Sequence, residues 1–504
     1  MSPDSTSPDG PHPGPPGSGP AGSEPSGSGP AGPGPSSPGP SGSGPAGSGD
    51  QGGEGGPGPG TPGSGAGGSG TGAGNPLGHG PVLLLSGARL ADGRVVDVRI
   101  SGDRIQAVGT AGSLGPLPQS ALPAGAACGG EPAVAAGARI DLTGYLLLPA
   151  PAEPHAHHDT AFTGTATGGT EPRPPLAGPP AEDQDTAAPQ DEGRGMVRRI
   201  TEAALTSLGY GATAQRTHVR IGDAHGLRRL EAVLTARGAL RGLAELQVVA
   251  VPRLLTGLAG AEGRAQLREA LRLGADVVGG CPELDPDPAG YVQTVVAAAT
   301  DFDCPVDLHL RGRDPDQLAR LTALLAPLRP RVAVGPCDLL TAGSAAGLRA
   351  AGLRVVCLPQ NGACCATDGP PGGLSPSVTA ELTFHQVPLA AGSGALRDAV
   401  NPVGRADPLE AAYLLAASGA LSVGAAYEAI SGQARQLMGL PAVRVDAGFP
   451  AELLAVRGDS LAGALSGGHS RLVVHSGRVV SRTSAVREFA DTVALALPRQ
   501  SGHH

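Results

Sequence analysis

From residue 81 onward, apolar and polar positions alternate in short runs. PVLLLSGARL, GRVVDVRISG and DRIQAVGT change side residue by residue, with Gly or Asp-Gly between them. That pattern predicts short antiparallel strands joined by tight turns. It returns in AELLAVRG and RLVVHSGRVV, where Ser476-Gly477 suits a hairpin turn. Two β-rich ends around one long middle predict a small composite β-sandwich domain built from 81–145 and 441–485. The middle, 146–440, alternates β-branched runs with amphipathic stretches. Strand candidates are LLLPA (146–150), ATAQRTHV (212–219), LQVVAV (246–251), ADVVGG (275–280), PVDLHL (305–310), RVAVG (331–335), LRVVCL (353–358) and VPLAA (387–391). Helical patterns lie between them at Met196–Leu208, Gly226–Leu240, Ala261–Leu273, Asp314–Leu325 and Asp407–Ala417. Asp314 followed by Pro315 is a favourable N-cap and first helical position. Eight buried strands, most followed by a helix, predict the α/β class and a (β/α)8 TIM barrel. A doubly wound sheet would need a glycine-rich phosphate turn after its first strand, and none is present.

Composition sets the limits of this core. Residues 1–80 hold 29 Gly, 18 Pro and 14 Ser, with five acidic residues and no Arg. Such a segment lacks the apolar side chains needed to offset its ordering entropy and is expected to be a disordered tail. Thr163–Gly195 is similarly Pro/Gly-rich and polar, and is expected to be a disordered insertion after the first barrel strand. It reads as a flexible lid or, more plainly, as a tolerated surface insertion. Residues 486–504, with His503 and His504, form a C-terminal tail. The whole chain has no Lys and no Trp; all 36 basic residues are Arg, against 45 acidic residues. The absence of a basic patch argues against a nucleic-acid partner, and the absence of a long apolar run against a membrane span. The seven cysteines are scattered without a C-x-x-C pair, so a disulfide scaffold is not expected and a reducing cytosol fits. The start of the chain does not read as a signal peptide, and a cytoplasmic protein is expected.

The richest local chemistry lies in PAPAEPHAHHDTAF, residues 149–162. His155 and His157 are two apart at a strand end, so both imidazoles project from one face. At a barrel mouth they form half of a divalent-metal site. A solvated H-x-H loop is the plainer alternative for such a pair.

The run LLLPAPAEPHAHHDTAF resembles the amidohydrolase superfamily, and in particular its cytosine-deaminase-like branch. The resemblance continues through RTHV (216–219), LQVVAVP (246–252), EALRLGADVVGG (269–280), VDLHL (306–310) and RDAVNPVG (397–404). It covers about 83–482 and implies a metal-dependent hydrolase of carbon–nitrogen, non-peptide bonds in cyclic amidines or amides. In that family a divalent metal, Zn or Fe, is held by two strand-one histidines, a strand-five histidine and a strand-eight aspartate. His155, His157 and His309 match the histidines. A glutamate three residues after the strand-five histidine shuttles protons, a strand-six histidine steadies the attacking group, and a glutamine reads the ring amide.

This chain departs from that pattern at four positions. Gly312 stands where the glutamate is expected, Pro336 at the histidine, Gly394 at the aspartate and Arg253 at the glutamine. Cys337 is an alternative metal ligand and Asp338 an alternative base, although a lone strand-end cysteine is more often simply buried. Asp398 is a candidate for the missing carboxylate, with a structural salt bridge to Arg397 the expected role. His218 points toward the mouth as a pocket or core residue, and His158 faces away. Arg253, His218 and Asn361 are the substrate-binding candidates. Two readings follow: a hydrolase with impaired or altered catalysis, or a non-catalytic pseudoenzyme that binds a small, anionic ligand or a protein partner. A third and weaker reading makes the tail the functional part of a scaffold. A small-molecule ligand is expected in the first two, and homo-oligomerisation is left open.

Overall fold

A computed structural model describes residues 82–115, 137–164, 189–222, 226–341, 343–360, 375–398 and 400–485. The expectations for the N-terminal tail, most of the 163–195 insertion, the C-terminal tail and Asn361 lie outside these residues.

Sixteen strands are described. The first five are β1 (Val82–Arg89), β2 (Val95–Ser101), β3 (Arg104–Thr110), β4 (Ala138–Asp141) and β5 (Tyr145–Pro149). The next eight form the barrel: β6 (Ala152–Ala156), β7 (Ala214–Ile221), β8 (Glu245–Pro252), β9 (Val277–Gly280), β10 (Val306–Leu310), β11 (Val332–Pro336), β12 (Arg354–Cys357) and β13 (Leu389–Ala391). Last come β14 (Leu453–Arg457), β15 (Arg471–His475) and β16 (Arg478–Thr483).

The barrel strands pair in sequence order, all in parallel. A parallel bridge between Ala156 and Gly394 joins the last strand to the first. Helices α1 (Pro189–Gly209), α2 (Arg228–Ala239), α3 (Ala261–Leu273), α4 (Pro288–Asp301), α5 (Pro315–Leu325), α6 (Ser344–Ala351), α7 (Pro376–Phe384) and α8 (Pro408–Ala417) follow the eight strands in turn. This is the TIM barrel expected from the alternation. Its C-terminal strand ends form the mouth, where such barrels place their chemistry. The opposite end is filled by α10 (Gly432–Leu437), which follows α9 (Val423–Ile430); Leu437 and Met438 pack there on Ala214, Ala333 and Val356.

Both ends of the described chain share one further sheet, in the order β16-β15-β14-β5-β1-β2-β3, with β4 paired to β1. The join is antiparallel, Leu453 opposite Pro149 through Arg457 opposite Tyr145.

One expectation needs correction. LLLPA is not the first barrel strand. It forms β5 of the small sheet, and AEPHA after it opens the barrel. Leu147 faces the core of the small sheet while Leu146 and Leu148 face the barrel's core. A strand buried on both faces carries the continuous apolar run normally read as a parallel barrel strand.

Candidate functional site

Alternation along the strands arranges the barrel interior in layers. His155 lies on β6 and His157 directly after it; Arg216 and His218 alternate onto one face of β7, and Asp307 and His309 onto one face of β10. The deeper layer is ionic. Arg216 donates to Asp307 at 2.8 Å and to the Gln247 side-chain oxygen at 3.1 and 3.0 Å, and Gln247 in turn donates to the Met438 carbonyl at 3.0 Å. Burial of Arg216 and Asp307 is complete enough that each charge depends on the other.

Toward the mouth stand four buried histidines. His155, His218 and His309 each present a ligand atom, all within 4.8 Å of one another. The His155 ring stacks on that of His218 with centroids 3.9 Å apart, and the Nε2 atoms of His155 and His309 are 3.0 Å apart. His157 stands beside this group, its ring centroid 5.1 Å from His155 and 5.4 Å from His309. His155 Nδ1 and His157 Nε2 are buried without a hydrogen-bond partner. Burial pushes His157 and His309 down to about 3, and holds His155 and His218 well below the usual histidine range. Neutral rings with unsatisfied nitrogens facing one another suit a cation's donor set. The residues present therefore fit a divalent metal, by nitrogen ligands.

Among the described residues no carboxylate joins this group. Asp307 accepts from Arg216 through Oδ2, while its Oδ1 lies 3.3 Å from His218 Nε2. Glu153, fully buried, is caged at the barrel's closing seam: it accepts from the backbone amides of His155 and Ser393 and from the Ser393 hydroxyl. Burial raises its carboxyl to about 7.

The other sequence candidates are spread around the mouth. Gly394 donates its amide to the His155 carbonyl at 3.0 Å, so the position expected to carry a ligand instead closes the barrel. Gly312 adopts φ +76°, and a Cβ there would meet Leu340 Cδ2 at 2.7 Å. Beside it, Glu283 accepts from the Arg311 and Gly312 amides at 2.9 and 3.1 Å. Asp338 is bound to Arg311 through both oxygens, at 2.5 to 3.2 Å. Cys337 is a buried core thiol, its pKa driven up by burial, and stands apart from the histidine group. His158 turns away to Gln215 at 2.8 Å. Arg253 is exposed after β8. The expected Asp398–Arg397 salt bridge does not form. Asp398 accepts from Thr160 at 2.7 Å and from the Val400 and Asn401 amides, while the Arg397 guanidinium lies 4.5 Å over the Phe162 ring. Local turn geometry satisfies this carboxylate better than its flexible neighbour does.

Sequence reasoning left out Arg216, Asp307 and Glu153. The signal for them was a charged residue on a barrel strand two positions before a histidine.

No protein-family model matches the chain. N-isopropylammelide isopropyl amidohydrolase of Pseudomonas sp. (strain ADP) is 29% identical over 183 residues, 34% of this chain and 43% of that relative. The match thus spans less than half of the relative's length. Among solved structures, N-isopropylammelide isopropylaminohydrolase from Burkholderia multivorans superposes with a TM-score of 0.63 at 25% identity, covering 80% of this chain and 99% of that one. 5-Methylcytosine deaminase from Klebsiella pneumoniae gives 0.64 at 19% identity, covering 81% and 100%.

Proposed function

The chain belongs to the amidohydrolase superfamily, and on that footing we propose that its barrel mouth holds a divalent cation and a small cyclic amide or amidine, with carbon–nitrogen hydrolysis impaired. The observation that carries this reading is the buried group of neutral histidines without a carboxylate. His155 and His309, with His157 or His218, would hold the cation, Zn or Fe. When bound, it supplies Lewis acidity at the substrate's carbon–nitrogen centre. The chain's own residues do less. General acid–base transfer contributes roughly 10²–10⁴-fold, and the carboxylates that follow β9 and β11 are engaged elsewhere: Glu283 by two backbone amides, Asp338 by Arg311. Arg253 at the glutamine position and Arg220, close enough to depress His157, favour an anionic ligand.

A second reading, a non-catalytic binding protein, is favoured by Gly312 and Gly394, which leave two chemical positions without side chains. One experiment separates the two: metal analysis of protein purified without chelator, together with ammonia or amine release from a panel of cyclic amides and amidines. We expect about one divalent ion per chain and turnover that is very slow. Bound metal with no turnover at all supports the second reading. Turnover at an ordinary enzymatic rate overturns the impairment and directs attention to Glu283. Absence of metal overturns the site.

A further inference from the structure

We propose that His218, on the second barrel strand, is a direct ligand of the cation at the barrel mouth, making the ligand set one of imidazoles alone. This rests on the metal-site reading above and goes beyond it by assigning the ligand that stands in for a carboxylate from the last strand.

Three observations carry it. His218 offers a ring nitrogen within 4.8 Å of those of His155 and His309, whereas His157 falls outside that group. Nitrogens that share one ion lie about 2.1 Å from it, which fits so tight a cluster. Second, His218 is 1% exposed and neither of its ring nitrogens completes a well-formed hydrogen bond, although the Ala156 carbonyl lies alongside. Third, the ring is backed by Asp307, 3.3 Å from Nε2, itself anchored by Arg216. A carboxylate behind a histidine is the arrangement that orients metal-bound imidazoles. The last strand cannot compete. Gly394 has no side chain, and Asp398 is occupied by Thr160 and two amides.

An all-nitrogen set selects late first-row cations such as zinc and copper over magnesium, calcium or manganese. Because the ligands are neutral, the loaded site keeps the ion's full positive charge.

The test compares the full chain with His218→Gln, which keeps polarity and much of the volume. Zinc affinity is read by chelator competition, and the imidazoles bound to added cupric ion are counted by pulsed electron paramagnetic resonance. We expect the substitution to weaken zinc at least tenfold and to remove one imidazole from the copper spectrum. Unchanged affinity and imidazole count in a folded variant overturn this assignment while leaving the metal site standing. Failure of the unsubstituted protein to take up zinc or copper overturns both. If His218→Gln does not fold, by circular dichroism, His218→Asn gives the same comparison.

Discussion

Gly312 is part of the backbone's shape as well as a missing carboxylate. Its left-handed φ, and the 2.7 Å that would separate an added Cβ from Leu340, mean that Gly312→Glu would strain the loop after β10. A left-handed non-glycine residue costs roughly 1–2 kcal/mol, and a displaced Leu340 adds to it. Urea unfolding should show Gly312→Glu less stable by about 1–3 kcal/mol; equal stability would mean that the loop readily re-forms around the side chain. The histidines set the acid response. Burial holds His157 and His309 at about 3 and His158 at about 4, below their ordinary 6.5. Their folded pKa is depressed, so the unfolded chain takes up protons first, and stability present above about 6.5 is lost as pH falls. Each such group contributes a slope approaching about 1.4 kcal/mol per pH unit. Glu153, raised from 4.5 to about 7, acts in the opposite sense and offsets one histidine. Chelator-treated protein should therefore lose stability steeply between pH 6.5 and 4.5, and a flat profile there would contradict the buried neutral rings. His155 and His157 were legible because strand alternation is local, and His309 through the family resemblance. His218 was placed toward the mouth, but its joining the histidine group was not legible, because only the closed barrel brings β7 against β6 and β10.

At the scale of elements, boundaries were clearest where side-chain chemistry marks them. Asp314-Pro315 and Asp407-Pro408 begin α5 and α8 as read, each aspartate accepting from amides of the first turn. Apolar runs were less informative, as β5 shows, because burial on both faces looks the same in a barrel and in a sheet packed against one. Asp407 also accepts two bonds from Arg471 at 2.8 Å, tying the start of α8 to β15. The pair is buried, and nothing in sequence spacing could have matched residues so far apart. Arg471→Ala would leave Asp407 buried beside only the distant, half-exposed Arg405. Removal of one partner from a buried pair costs about 3–5 kcal/mol. Thermal unfolding should register that loss as a lower midpoint, and a change within a degree would show that Asp407 needs no cation.

For the whole molecule, the composite sheet makes the barrel depend on residues that come after it. Strand β14 covers β5 along its full length, from Leu453 opposite Pro149 to Arg457 opposite Tyr145. Ala150 donates to the Glu452 carbonyl where the chain passes from β5 into the first barrel strand, and Ile105 donates to Phe449. A chain ending at residue 440 would lose β14, β15 and β16 together. It would expose Leu147 and the small sheet's core, strip β5 of its antiparallel partner and leave Asp407 without Arg471. Each loss is of a kind that destabilises by kilocalories, against a total stability of only about 5–15 kcal/mol for a folded domain. The remaining β1 to β5 would also present an unpaired, apolar edge, which favours aggregation. We therefore expect the truncated protein to be insoluble or to unfold without a cooperative transition, assessed by solubility after expression and by differential scanning calorimetry. A soluble product ending at residue 440 that melts cooperatively near the full chain's midpoint would show that the barrel and the first five strands stand without the second half of their sheet.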